Sequence, residues 1–101
     1  MIRSPKLRKS AKGQQCTLQI VGVCNHDTYT TVLAHLPDES KGMGVKADDI
    51  SACFACSACH EVLDGRVEFG RVIEFDREWY MRRAQNRTWR RWVEMGLIKL
   101  P

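Results

Sequence analysis

Apolar and β-branched residues fall in short runs along this chain, and the period of each run predicts an element. Tyr29–Leu36 reads Tyr-Thr-Thr-Val-Leu-Ala-His-Leu, a β-branched and aromatic run that predicts the best strand of the protein, ended by Pro37. Thr17–Val23 is also β-prone and leads into Cys24, and Asn25-His26-Asp27 after it predicts a turn. Residues 37–49, which include Gly42 and Gly44, read as a polar loop, and Ile50–Ala55 as a short apolar segment. Beyond it the pattern turns helical. Ser57–Asp64 fits about two turns with Gly65 placed to stop them. A longer helix is predicted over 76–96, with Asp76 as its N-cap and Gly96 as its stop. Along it Tyr80, Ala84, Thr88 and Trp92 recur every fourth residue and should pack inward, while Arg83, Arg87, Arg90 and Arg91 share much of another face. Trp79, Trp89 and Trp92 read as core or helix-packing anchors. Residues 1–14 read as a basic arm, mobile or forming a short helix.

With 101 residues there is room for one domain, 1–101, and its apolar core alone is marginal. A structural metal would add binding energy directly to folding. No apolar run approaches the ~18 residues a membrane helix needs, so no membrane partner is expected. The N-terminus is basic and lacks the apolar core of a secretory signal. The expected compartment is the cytosol, where the five cysteines point to thiolates and metal rather than disulfides.

The net charge of +4 hides a segregation: residues 1–15 carry +5, residues 77–101 carry +5, and residues 16–76 carry −6. Two cationic flanks around an acidic, Cys/His-rich centre suit a polyanion held against a cation-binding site. Solvated basic surface is the plainer alternative, and the charge pattern alone does not choose.

The cysteines do more to decide. Cys16 and Cys24 form a C-x7-C pair and Cys56 and Cys59 a C-x2-C pair. Folding can bring these four thiolates onto one tetrahedral zinc as a closed, structural site. Cys53 lies three residues before Cys56. A Cys53/Cys56 pairing would leave Cys59 unused beside His60, so Cys53 reads as a buried small hydrophobe. Cys56-Ser57-Ala58-Cys59-His60 also matches c-type haem attachment, but that reading leaves Cys16 and Cys24 unexplained, and no βαβ pattern supports a redox pair. His60 and Asp64 stand at i and i+4, so on a helix they face the same way and can share a divalent cation. His35 ends the predicted strand, where a lone histidine is ordinarily a hydrogen-bonded structural residue. His26 reads as a turn residue near the first cysteine pair.

Taken in order, the two cysteines, the strand Val32-Leu33-Ala34-His35, and Cys56-Ser57-Ala58-Cys59-His60 on a short helix resemble the HNH (His-Me finger, ββα-metal) endonucleases. Within these the chain is most similar to small phage and prophage proteins of the YbcO type. The likeness runs from Leu7-Arg8-Lys9 through Gly42–Lys46 to Gly96-Leu97-Ile98-Lys99. It implies a bacterial or phage-encoded endonuclease that hydrolyses DNA phosphodiester bonds. It also implies an α+β fold, a small zinc-braced ββα-metal (HNH-like) domain with an additional C-terminal Arg-rich helix. In that pattern His35 matches the general base, and imidazole, with an unperturbed pKa of about 6.5, suits the task. His60 matches a ligand of a catalytic divalent cation, Mg²⁺ or another, and Asp64 would be a second ligand by geometry. Cys16, Cys24, Cys56 and Cys59 match the zinc knuckle. Many such enzymes carry an Asp or His ligand immediately before the base; here that position is Ala34. The ligand set would then draw on Asp64, Asp49, His26 or the substrate phosphate. Lys9, Lys12, Lys46, Arg83, Arg87 and Arg90 are the expected contacts to DNA. The alternative is a zinc-stabilised module that binds nucleic acid or protein without cleaving it.

Overall fold

The structure, a computed structural model, describes residues 2–37, 46–65 and 70–101, with the backbone alone for 70–75. Its elements are α1 (Pro5–Ser10), a 3₁₀ turn (Thr28–Thr30), β1 (Val32–His35), β2 (Ala52–Ala55), α2 (Ser57–Leu63) and α3 (Gly70–Glu94). This is an α+β architecture: three helices around one two-stranded sheet, with Val32↔Ala55 and His35↔Ala52 as the ends of an antiparallel register. Most of the polar loop expected at 37–49, Gly42 and Gly44 included, lies outside the described residues. No helix among the described residues is long and apolar enough to cross a membrane.

The N-terminal residues take the short-helix form. Ser4 caps α1 by accepting from the Leu7 N–H, Pro5 supplies a preset first turn, and Leu7, Ser10 and Ala11 are buried. Three sequence expectations are corrected. Thr17–Val23 is not a strand. Eight extended residues would part Cys16 from Cys24 by about 25 Å, whereas their sulfurs lie within 4.8 Å of each other. The segment instead turns back through Gln19 (φ 44°) and Gly22 (φ 77°), with the N–H groups of Val23 and Cys24 both bonded to the Ile20 carbonyl. The strand expected over Tyr29–Leu36 is shortened to Val32–His35, because the Asp27 carboxylate accepts from the Tyr29 N–H and winds Thr28–Thr30 into a 3₁₀ turn. The long helix begins at Gly70, so Asp76 lies inside it rather than at its cap. A cap contributes only about 1 kcal/mol, and no glycine or proline between 71 and 75 interrupts the helix. Its stop at Gly96 (φ 76°) and the stop of α2 at Gly65 (φ 74°) stand where expected.

Two apolar clusters lie on opposite faces of the sheet. On one, Ala34, Cys53 and Ala55 pack with Leu18, Ile20, Val62, Leu63, Tyr80, Met81 and Ala84. On the other, Phe54 and Ala52 pack with Leu7, Ala11 and Trp92, the Phe54 and Trp92 rings meeting edge to face at 6.1 Å. The inward positions read on α3 hold: Tyr80, Ala84, Thr88 and Trp92 are all buried. Side chains close the free edge of β2, because Gln85 donates to the carbonyls of Ile50 and Ala52, Trp89 donates to Ile50, and Phe54 N–H donates to the Thr88 hydroxyl. An exposed strand edge is thereby capped by α3. Of the three tryptophans only Trp92 is core; Trp79 and Trp89 are exposed.

Candidate metal centre and active-site cleft

Three segments meet at the four cysteines. Cys16 follows α1, Cys24 precedes the 3₁₀ turn, and Cys56 and Cys59 sit at the β2–α2 junction, with all four sulfurs within 4.8 Å of one another. Tetrahedral zinc with Zn–S bonds of roughly 2.3 Å sets its sulfurs about 3.8 Å apart, and Cys24 and Cys56 are at 3.8 Å. Backbone N–H groups of Gln19 and Cys59 point at the sulfurs of Cys16 and Cys56, each at 3.4 Å, as charged thiolates require. The donor set therefore fits zinc, and the four residues can hold it.

Their protonation without metal makes the same point. A hydrogen bond from Cys59 holds the Cys16 thiol down at about 5 against the desolvation that raises it, and the same bond pushes Cys59 up. Burial pushes Cys24 up to about 11. Crowded thiols oppose one another's ionisation, and a bound dication would relieve that opposition. Cys53 is not part of the set. It is fully buried with its thiol pushed far up by desolvation, the small hydrophobe expected. His26 is the expected turn residue (φ 55°), its Nδ1 3.7 Å from the Cys24 sulfur.

Cys56 caps α2 as well, its sulfur accepting from the Cys59 N–H, and α2 carries His60. One turn on, His60 Nε2 lies 3.2 Å from Asp64 Oδ2. That is the distance of an ordinary i,i+4 His–Asp pair, and it is also compatible with neighbouring ligands at ~2.1 Å in an octahedron, which stand about 3.0 Å apart. His35 comes to the same place from β1. His35, Lys46, His60 and Asp64, with Leu33, Leu36, Pro37 and Ala47, line one cleft of about 240 Å³. Ala34 cannot contribute there. It is fully buried opposite Cys53 in the apolar cluster, because successive strand residues face opposite sides.

Asp49 has a role that the sequence did not reveal. Its side chain is buried, and its Oδ1 is 2.7 Å from His35 Nε2. Its Oδ2 accepts from the Ser4 N–H at 2.6 Å, and the guanidinium groups of Arg3 and Arg8 lie at 3.5 and 3.7 Å. Burial works to raise the Asp49 pKa, but the hydrogen bonds from His35 and Ser4 and the charges of His35 and Arg8 outweigh it and hold the carboxyl below its usual range. Both Asp49 oxygens are thus engaged within the protein, Oδ1 with His35 and Oδ2 with Ser4.

The expected cationic contacts are less gathered. Only Lys46 joins the cleft. Lys9, Lys12, Arg87 and Arg90 are exposed, and Arg87 lines a separate hollow of about 660 Å³ with Gln14, Gln15, Gln19 and Arg91. Arg83 is tied to the protein. It donates to the carbonyls of Leu18 and Gln19 and stacks over the Trp79 ring, 4.5 Å from its centre.

Comparison with known proteins gives a consistent picture. A family model described as "Putative nuclease YbcO" matches residues 5–97. The chain is 40% identical over 97 residues to "Putative nuclease YbcO" of Escherichia coli (strain K12), covering 92% of this chain and 96% of that one. It is equally similar, with the same identity and coverage, to "Putative nuclease ybcO" of Enterobacteria phage 82. A solved structure titled "Structure of a putative bacteriophage protein from Escherichia coli str. K-12 substr. MG1655" superposes with a TM-score of 0.67 at 34% identity, covering 90% of this chain and all of that one.

Proposed function

The chain belongs to the family described as "Putative nuclease YbcO", and on that premise we propose that it is a metal-dependent endonuclease hydrolysing DNA phosphodiester bonds at an HNH-type (ββα-metal) centre. The observation that carries this reading is the convergence of His35, Lys46, His60 and Asp64 on one cleft from a strand, a loop and a helix. A purely binding module has no need to bring two imidazoles and a carboxylate together there.

In this reading the cluster of Cys16, Cys24, Cys56 and Cys59 holds a structural zinc. His60 and Asp64 hold a divalent cation, which when bound polarises the scissile phosphate and neutralises charge developing on the leaving oxygen. His35 takes the proton from a water positioned in the cleft, and Asp49 balances the charge that His35 then gains. Lys46, at the cleft wall, draws in the phosphate. Lys9, Lys12, Arg87 and Arg90 are exposed and meet the DNA backbone, so affinity should fall steeply with salt. Arg83 braces the Cys16–Cys24 turn and has less of its guanidinium to offer a phosphate.

The test is plasmid nicking by the purified chain with Mg²⁺, Mn²⁺, Zn²⁺ or Ni²⁺, beside an EDTA control and His35→Ala. The expected result is metal-dependent nicking that disappears in a folded, zinc-loaded His35→Ala protein. No cleavage of duplex or branched DNA in any of these metals would favour the non-catalytic binding module, with the buried Ala34 as the reason a ligand is missing.

A further inference from the structure

A histidine can take a proton from water only through a nitrogen that has a free lone pair, and in this protein the fold decides which nitrogen that is. Asp49 is buried against His35, with its Oδ1 2.7 Å from Nε2. A carboxylate only accepts, so Nε2 carries the imidazole proton and Nδ1 is left as the basic atom. What fixes Asp49 lies far away in sequence. Ser4 N–H donates to Oδ2, Arg3 and Arg8 flank the carboxylate, and Ile2 closes a two-way pairing with the loop, its carbonyl accepting from Asp49 N–H and its own N–H donating to Asp48. Arg3 also donates to the carbonyls of Lys46 and Ala47, both of which line the cleft. The basic N-terminal residues are therefore part of the site's scaffold as well as a charged surface.

Resting on the nuclease reading, we propose that Asp49, locked by the docked segment Ile2–Arg8, is a positioning residue that holds His35 as the Nε2–H tautomer with Nδ1 as the general base. It acts through His35 and need not touch DNA.

Two readouts test this on the full-length, zinc-loaded chain. The first is ¹⁵N NMR of the histidine side chains, with His35 assigned by comparison with His35→Gln. Wild type should show Nε2 protonated and Nδ1 bare, and Asp49→Asn, whose amide can turn a donor toward the ring, should mix the tautomers. The second is nicking kinetics. Asp49→Asn should lower kcat roughly 100-fold with KM held within about threefold, the scale of a misdirected general base. Arg3→Gln/Arg8→Gln keeps Asp49 and alters only partly exposed side chains, so it serves if Asp49→Asn fails to fold. It should lower kcat about fivefold, a fraction of the loss expected for a misdirected base, and that fall in kcat, rather than any rise in KM from the two lost charges, is the readout. A wild-type His35 protonated on Nδ1, or variants that cut at the wild-type rate, would overturn the assignment. Wild type that cuts nothing defeats the nuclease reading and any helper role for Asp49 with it; unaltered variants beside an active wild type defeat only this inference.

Discussion

Stripping zinc from the cysteine cluster should unfold most of the described protein rather than loosen one loop. The cluster joins positions eight residues apart (Cys16 to Cys24) and 32 apart (Cys24 to Cys56). On the chain-entropy scale used for cross-links, closing those loops restrains the unfolded chain by about 2.5 and about 3.7 kcal/mol. Together these are comparable with the whole stability of a domain this size, about 5–15 kcal/mol. The turn Leu18–Cys24 has no ladder of its own to fall back on, and Leu18 and Ile20 reach the core through it. A loss of about 6 kcal/mol should lower the melting temperature by at least about 20 °C. The assay is a circular-dichroism melt of the chain before and after chelation, with released zinc measured colorimetrically, and Cys59→Ser alongside. A zinc-free protein melting within about 5 °C of the loaded one would refute the reasoning and reduce the cluster to a group of packed thiols.

Arg87→Gln/Arg90→Gln should weaken DNA binding and reduce the slope of log K against log salt by about 2 if each contacts one phosphate, as measured by fluorescence anisotropy across a salt series. Arg83→Gln should leave that slope nearly unchanged but destabilise the fold by about 1–2 kcal/mol in urea melts, since it removes the bonds to Leu18 and Gln19 and the stacking on Trp79. Asp49 has a lowered pKa in the fold, so its contribution to stability is complete above the unfolded value of about 3.9 and is lost as pH falls through the folded one. The stability gap between wild type and Asp49→Asn should therefore shrink as pH falls below about pH 4, as read from denaturant midpoints. Trp92→Phe should cost about 1–2 kcal/mol in thermal melts, because it removes the indole N–H that donates to Ser10 at 2.7 Å, although that hydroxyl keeps its own bond to the Leu7 carbonyl, and takes volume out of a fully buried site.

What could be read from the sequence was what local pattern and ligand chemistry encode. The four clustered cysteines, the strand ending at His35, the helix carrying His60 and Asp64, and the glycine stops all follow from spacing or period within a few residues. Thr17–Val23 misled because β propensity is weak beside the demand that Cys16 and Cys24 reach one point. The start of α3 was misplaced because Asp76 offered a cap that the continuing helix did not need. Asp49 was legible only as one spare carboxylate. Its role depends on contacts 14 residues away to His35 and 45 residues away to Ser4, and no local signal carries pairings at that distance. Arg83, one of four arginines on a face, gave no sign that its guanidinium would be drawn onto the backbone carbonyls of the Cys16–Cys24 turn.

The double duty of Cys56 has a mechanical consequence. The residue that anchors the knuckle is also the first point of α2, and His60 follows four residues later, about 6 Å along the axis. A lever that short still passes error on. A tilt of about 10° at its pivot carries the histidine backbone about 1 Å, the scale of misplacement that can cost a catalytic group roughly 100-fold. On the proposed reading, small distortions of the knuckle would therefore already be felt at His60, and its collapse would remove the pivot altogether. The cysteine cluster and the cleft would behave as one part with a narrow tolerance.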